Sequence, residues 1–188
     1  NEPNKDPNVR PRNLNAAQKA DLVAFLKRPL TDPRVGPELA PFDRPSLYGE
    51  SNHVPVIQGS GVAGSGGIVP NIIAIEPPLL GNRNFTVQVS RGLINAVATL
   101  VVGDSDPGLP TTASLPVGSL ANIATSLNAA GDASVQLSLP DGQAQLGRTL
   151  YGRIYVVDAA AENGFAVTSA FKITLFGETD VLMQVGFE

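Results

Sequence analysis

Phe85-Thr86-Val87-Gln88-Val89-Ser90 alternates apolar and polar side chains without a break. A period of two places Phe85, Val87 and Val89 on one face and Thr86, Gln88 and Ser90 on the other, which marks a strand buried on one side. The same period recurs downstream. Val135, Leu137 and Leu139 alternate with Gln136 and Ser138. Pro140-Asp141-Gly142 then supplies a turn, proline presetting φ and glycine accepting φ > 0. Ala96–Val102 is a more uniformly apolar strand, and Asn71–Glu76 is a short apolar run stopped by Pro77-Pro78. Ile123 and Leu127 point to a further strand before the turn Ala130-Gly131-Asp132. Tyr151–Val157 and Ala170–Leu175 complete the set, with Phe171, Ile173 and Leu175 on one face.

Seven short strands with turns between them, and no second convincing helix, predict a mainly β fold. The expected architecture is a seven- to eight-stranded β-sandwich of immunoglobulin or fibronectin-III type over residues 70–177. The Cys…Trp…Cys hallmark of antibody domains is absent, since the chain has no Cys and no Trp. Residues 178–188, with Val181, Leu182, Met183, Val185 and Phe187, read as an eighth strand or a docking tail.

The physics changes upstream of residue 50. Residues 1–50 carry eight of the chain's 13 Lys/Arg and seven of its 17 Asp/Glu. Pro29, Pro33, Pro37, Pro41 and Pro45 recur every four residues, a spacing that opposes helix and sheet alike and favours an extended arm over residues 1–58. One helix is expected within it, at about 15–28. Asn15 is the N-cap, Gln18 completes a capping box, and Pro29 stops the helix. Leu22, Val23, Phe25 and Leu26 form an apolar stripe with Asp21 and Lys27 off it. A lone helix of this length is marginal in water, so the stripe calls for a surface to cover it. Residues 59–69, including Gly-Ser-Gly-Val-Ala-Gly-Ser-Gly-Gly at 59–67, read as a flexible link.

The run Asn13-Leu14-Asn15-Ala16-Ala17-Gln18-Lys19-Ala20-Asp21-Leu22-Val23-Ala24-Phe25-Leu26-Lys27, continuing through Leu30-Thr31-Asp32-Pro33-Arg34-Val35 to Ala40-Pro41-Phe42-Asp43-Arg44-Pro45, resembles the closing segment of a bacterial di-haem cytochrome c peroxidase-like (MauG-type) domain. Tyr48-Gly49-Glu50-Ser51-Asn52, Ile75-Glu76-Pro77-Pro78, Tyr151–Asp158 and Ala166–Phe171 resemble a C-terminal extension carried by some of these proteins. The resemblance implies a periplasmic or otherwise extracytoplasmic setting, and a haem domain that covers the helix. Covalent c-type haem needs Cys-x-x-Cys-His. With no Cys and one His, this chain carries no such site, and no cofactor is expected in it. Any haem belongs to a partner.

Composition narrows the function further. Net charge is −4 without a basic cluster, which argues against nucleic acid as a partner. No apolar run approaches the ~18 residues of a membrane span. The chain starts at Asn1 without an initiator Met or a signal peptide, so a processed or partial sequence is expected.

Individual candidates carry little chemistry. His53, the only histidine, is a candidate ligand for a metal or a partner's haem iron, against the plainer reading of a polar loop residue. Met183 is a candidate axial ligand, against packing. Asp104-Ser105-Asp106-Pro107-Gly108 has the oxygen-rich look of a Ca²⁺ loop, with Asp104 and Asp106 as weak candidate ligands. The twelfth position from Asp104 is Ser114 where an EF-hand needs Glu. Turn chemistry explains the same residues. The Gly-rich stretch lacks the Lys-Ser/Thr ending of a phosphate loop. No Gly-x-Ser-x-Gly elbow is present, and no catalytic residue is assigned. Asn84-Phe85-Thr86 matches the glycosylation triplet, a pattern frequent by chance.

Three readings stay open. The first is a non-catalytic accessory or structural subunit that docks through Leu22, Val23, Phe25, Leu26, Phe42 and Tyr48 onto a larger extracytoplasmic, haem-bearing electron-transfer complex. By analogy, a photosynthetic reaction centre with a bound cytochrome fits. For the same six residues, packing against the chain's own sandwich is the plainer alternative. The second reading is the C-terminal accessory part of a di-haem cytochrome c peroxidase. The third, weaker for want of Trp, is a carbohydrate-binding or adhesive module.

Overall fold

A computed structural model describes residues 13–30, 34, 37, 39 and 47–177. The chain divides into two units, Asn1–Pro45 and Ser46–Glu188. The first contains helix α1, Ala16–Leu30. Its N-terminus is capped as the sequence predicts: the Gln18 N–H donates to Asn15 Oδ1 at 2.9 Å, and the Asn15 N–H donates to Gln18 Oε1 at 3.1 Å. The helix runs one residue beyond Pro29 rather than stopping before it. A proline in the last turn forfeits a single ladder bond, so a capped helix tolerates it there better than in its middle.

The second unit is a β-sandwich, with nine strands among the described residues: β1 Val56–Gln58, β2 Asn71–Ile73, β3 Phe85–Ser90, β4 Val97–Gly103, β5 Ala121–Ser126, β6 Ala133–Leu137, β7 Thr149–Val157, β8 Phe165–Val167 and β9 Ala170–Thr174. One antiparallel sheet has the order β1-β9-β7-β4-β5, with β8 also paired to β7; the other is β2-β3-β6. The count exceeds the expected seven or eight because β1 and β8, three residues each, are too short to show a period.

Alternation builds the core. Phe85, Val87 and Val89 of β3, and Val135 and Leu137 of β6, face Leu100 and Val102 of β4, Ile154 and Val156 of β7, and Phe171 and Ile173 of β9 across a single buried cluster. Gly152 is required at its place: a Cβ there would lie 2.6 Å from the Phe171 ring and 3.1 Å from the Val101 carbonyl oxygen.

The larger sheet is covered on its other face too. Val101 and Tyr155, fully buried, join Val167 in a second cluster with Val62, Leu115 and Phe165. Val62 comes from the Gly-rich stretch expected to be a flexible link. That stretch is instead a packed strap: Val62 exchanges backbone hydrogen bonds with Val167 at 2.9 and 3.0 Å. Gly61 passes so close to β8 that no Cβ fits between them. Glycine serves close approach here rather than flexibility.

Candidate functional site

Leu22, Val23, Phe25 and Leu26 are the expected docking stripe. On α1 they are 46%, 48%, 66% and 47% exposed, and nothing among the described residues of that unit covers them. Phe42 lies outside the described residues, as do Met183 and residues 178–188.

Tyr48 belongs to the sandwich unit and packs within it. Its ring stacks on Phe176 at 6.5 Å between centroids. Its hydroxyl donates to the Glu76 carbonyl at 3.1 Å. Burial pushes that hydroxyl's pKa up to about 12. His53 stacks on Phe176 as well, at 4.3 Å and 22° between planes. Its Nδ1 is buried and has no hydrogen-bond partner among the described residues. A Cys-free chain whose one imidazole is stacked in this way does not fit a covalent c-type haem.

Asp104 and Asp106 each face an arginine. Arg148 Nε and Nη2 both lie 2.7 Å from Asp104 Oδ1, and the Ser119 hydroxyl donates to Oδ2 at 2.8 Å. These hydrogen bonds, Arg148 first, hold the Asp104 carboxyl below its usual range. Arg153 grips Asp106 side-on, Nε to Oδ1 and Nη2 to Oδ2, the latter at 2.7 Å. The Gly108 N–H adds a bond to Oδ1 at 2.9 Å. Asp106 is likewise held low, chiefly by Arg153 and against the opposing effect of its burial. Guanidinium groups at both carboxylates create a positive surrounding, the reverse of what a hard divalent cation needs. Among the described residues, no three His, Cys, Asp or Glu side chains converge as a metal site.

Arg153 was not anticipated from sequence. The alternation of β7 puts Ile154 and Val156 toward the main core and Arg153 and Tyr155 on the outer face. There the strap and the 104–118 loop bury Arg153 to 4% exposure. Its Nη1 donates to the Ser60 and Thr168 carbonyls at 2.7 and 2.8 Å. Tyr155 donates to the Gly108 carbonyl at 2.6 Å. Asp158 anchors the strap's other end, accepting from the Ser65 N–H at 2.6 Å and the Ser65 hydroxyl at 2.8 Å. Burial pushes the Asp158 carboxyl up, but these bonds and one from the Ala160 N–H outweigh it and leave the group low. The one signal available was a lone charge inside an otherwise apolar strand, since a buried Arg must be paired.

The grooves of the sandwich are shallow. One, about 460 Å³, lies between β5 and β6 and is lined by Thr86, Ile123, Ala124, Thr125, Ser134, Val135 and Gln136. A smaller one, about 170 Å³, includes Ile68, Leu93, Ile94 and Asp158. The first brings no nucleophile beside a base; the second holds the Ser65 hydroxyl 2.8 Å from Asp158 Oδ1, with no histidine in its lining. No protein-family model matches the chain, and no curated protein matches it in sequence. Among the described residues, no helix is long and apolar enough to cross a membrane.

Proposed function

We propose that this chain is a non-catalytic accessory subunit of the extracytoplasmic space, docking through α1 onto a larger haem-bearing electron-transfer protein. The exposed stripe Leu22, Val23, Phe25 and Leu26 carries this reading. A helix with a complete N-terminal cap and an uncovered apolar face matches helix-in-groove recognition, in which i, i+3 and i+4 anchors enter a partner's groove. The resemblance of residues 13–45 to the closing segment of a di-haem peroxidase domain supplies the partner class. Phe25 is the anchor and Tyr48 a packing residue of the sandwich. The ion-paired Asp104 and Asp106 are loop fasteners.

The strand order supports the fibronectin-III form of the sandwich. Leaving out β1 and β8, the first, second and fifth of the remaining strands form one sheet, and the fourth, third, sixth and seventh, in that order, form the other. The same resemblance favours a second reading, the accessory C-terminal part of a di-haem peroxidase. The sugar-binding reading loses support, because Tyr155 is buried and Tyr48 is committed to Phe176.

Native mass and Soret absorbance of the protein from its source test the proposal. A large haem-bearing particle that loses this chain on Phe25→Asp supports it. A free 19.5 kDa species without haem absorbance overturns it. Haem that stays covalently on the same polypeptide under denaturing mass analysis establishes the second reading instead.

A further inference from the structure

The β4–β5 loop has a fastened base and a free tip. Arg153 grips Asp106, the Tyr155 hydroxyl donates to the Gly108 carbonyl, and Asn163 Nδ2 donates to the Pro110 carbonyl at 2.9 Å. On the way back, Leu115 packs against the buried Val101, Tyr155 and Val167. A Cβ on Gly118 would collide with the Val102 and Ala121 carbonyl oxygens, so the chain lies tight against β4 where it re-enters the sheet. Between these anchors stands Thr111-Thr112-Ala113-Ser114, four consecutive exposed residues in a bend. Among the described residues, their hydroxyls and N–H groups have no hydrogen-bond partner.

The exposure is selective. Of the eight threonines among the described residues, Thr111 and Thr112 alone are exposed; the other six are buried or half-buried. Pro110 and Pro116 bracket the tip. Proline fixes φ, donates no hydrogen bond and keeps the residue before it extended. The segment can therefore lie in another protein's active site without breaking any hydrogen bond of its own. Hydroxyl-rich sequence bracketed by proline is the composition of O-glycosylated segments. The charge pattern favours a sugar over a phosphate. No ionisable side chain lies between Asp106 and Asp132, so a phosphate of charge about −2 would find no Lys or Arg in the loop to pair with. A neutral sugar needs none, and its bulk suits an exposed tip.

We propose that Thr111, Thr112 and Ser114 form an O-glycosylation site, the acceptor for a transferase whose donor is a sugar activated by phosphate at its anomeric carbon. The hydroxyl oxygen forms the new bond to that carbon. The carbon–oxygen bond to the phosphate breaks, the phosphate leaves with the electron pair, and the hydroxyl proton passes to a base of the transferase. The sugar flanks Leu109 and Val117, 43% and 86% exposed, and hinders proteases at a loop tip, where nicking concentrates.

Trypsin releases the whole loop in one peptide, 92–148, because no Lys or Arg intervenes. In protein purified from its source, that peptide should carry mass increments of whole sugar residues that alkaline β-elimination removes. Electron-transfer fragmentation should place them on Thr111, Thr112 or Ser114. Thr111→Val/Thr112→Val/Ser114→Ala, expressed in the same organism, should lack them. The three side chains bond nothing, so the variant should keep the thermal midpoint of the unglycosylated wild type. An unmodified peptide from the source overturns the proposal, and that measurement needs no variant. So do phosphate increments at these positions, sugar that persists in the triple variant, and sugar found only on Asn84, whose amide linkage resists β-elimination.

Discussion

Arg153, 4% exposed on β7, holds Asp106 of the β4–β5 loop in a side-on fork with Nη2 2.7 Å from Oδ2. The same guanidinium bonds the Ser60 and Thr168 carbonyls, so one side chain ties the strap, the loop and the β8–β9 connection to the outer face of the larger sheet. Removing Asp106 leaves that charge buried and uncompensated. Asp106→Ala should cost about 2–4 kcal/mol in urea denaturation at pH 7, toward the low end because the Asp106 side chain is 32% exposed. Asp104→Ala, at an ion pair whose side chains are 30% and 52% exposed, should cost clearly less than Asp106→Ala. Equal losses in the two variants would refute the ranking.

Acid should unfold the sandwich through Asp106 and Asp158. Folding lowers both carboxyl pKa values, so the native state binds fewer protons than the unfolded chain. Their stabilisation is complete above the ordinary carboxylate value of about 3.9 and is lost as pH falls through the lowered folded values. Asp106→Asn and Asp158→Asn should each flatten the acid limb of stability against pH. Denaturation midpoints between pH 2 and pH 7 measure this, and an acid limb as steep as that of the wild type would exclude the residue concerned.

Gly152→Ala should destabilise by about 1–3 kcal/mol, because the added methyl meets the Phe171 ring at 2.6 Å. Phe171→Leu lowers stability alone by opening space in the core. In the double variant the two losses should not add, since the smaller side chain makes room for the methyl. Thermal unfolding of the four proteins closes the cycle.

Tyr48→Phe keeps the stack on Phe176 and deletes the hydrogen bond to Glu76, for an expected loss of about 1 kcal/mol. Absorbance titration should also lose a phenol that ionises near pH 12. An unchanged titration curve in the variant would show that Tyr48 is not the shifted group.

Short-range physics wrote most of the strands and the helix start plainly into the sequence. Phe85–Ser90 and Val135–Leu137 show their buried faces through a period of two, and Asn15 with Gln18 announces its cap through a spacing of three. These features depend on neighbours along the chain, so sequence alone settled them, along with the absence of any c-type haem attachment motif. The strap, β1, β8 and the setting of Tyr48 depend on partners far away. Ser65 meets Asp158 and Ser60 meets Arg153 across 93 residues, and Tyr48 reaches Glu76 across 28. Three-residue strands have no period to read, and a glycine run looks the same whether it swings free or lies against a sheet. Which of the two it does was decided only in three dimensions, where Val167 and Asp158 supply the backbone and carboxylate partners that hold it.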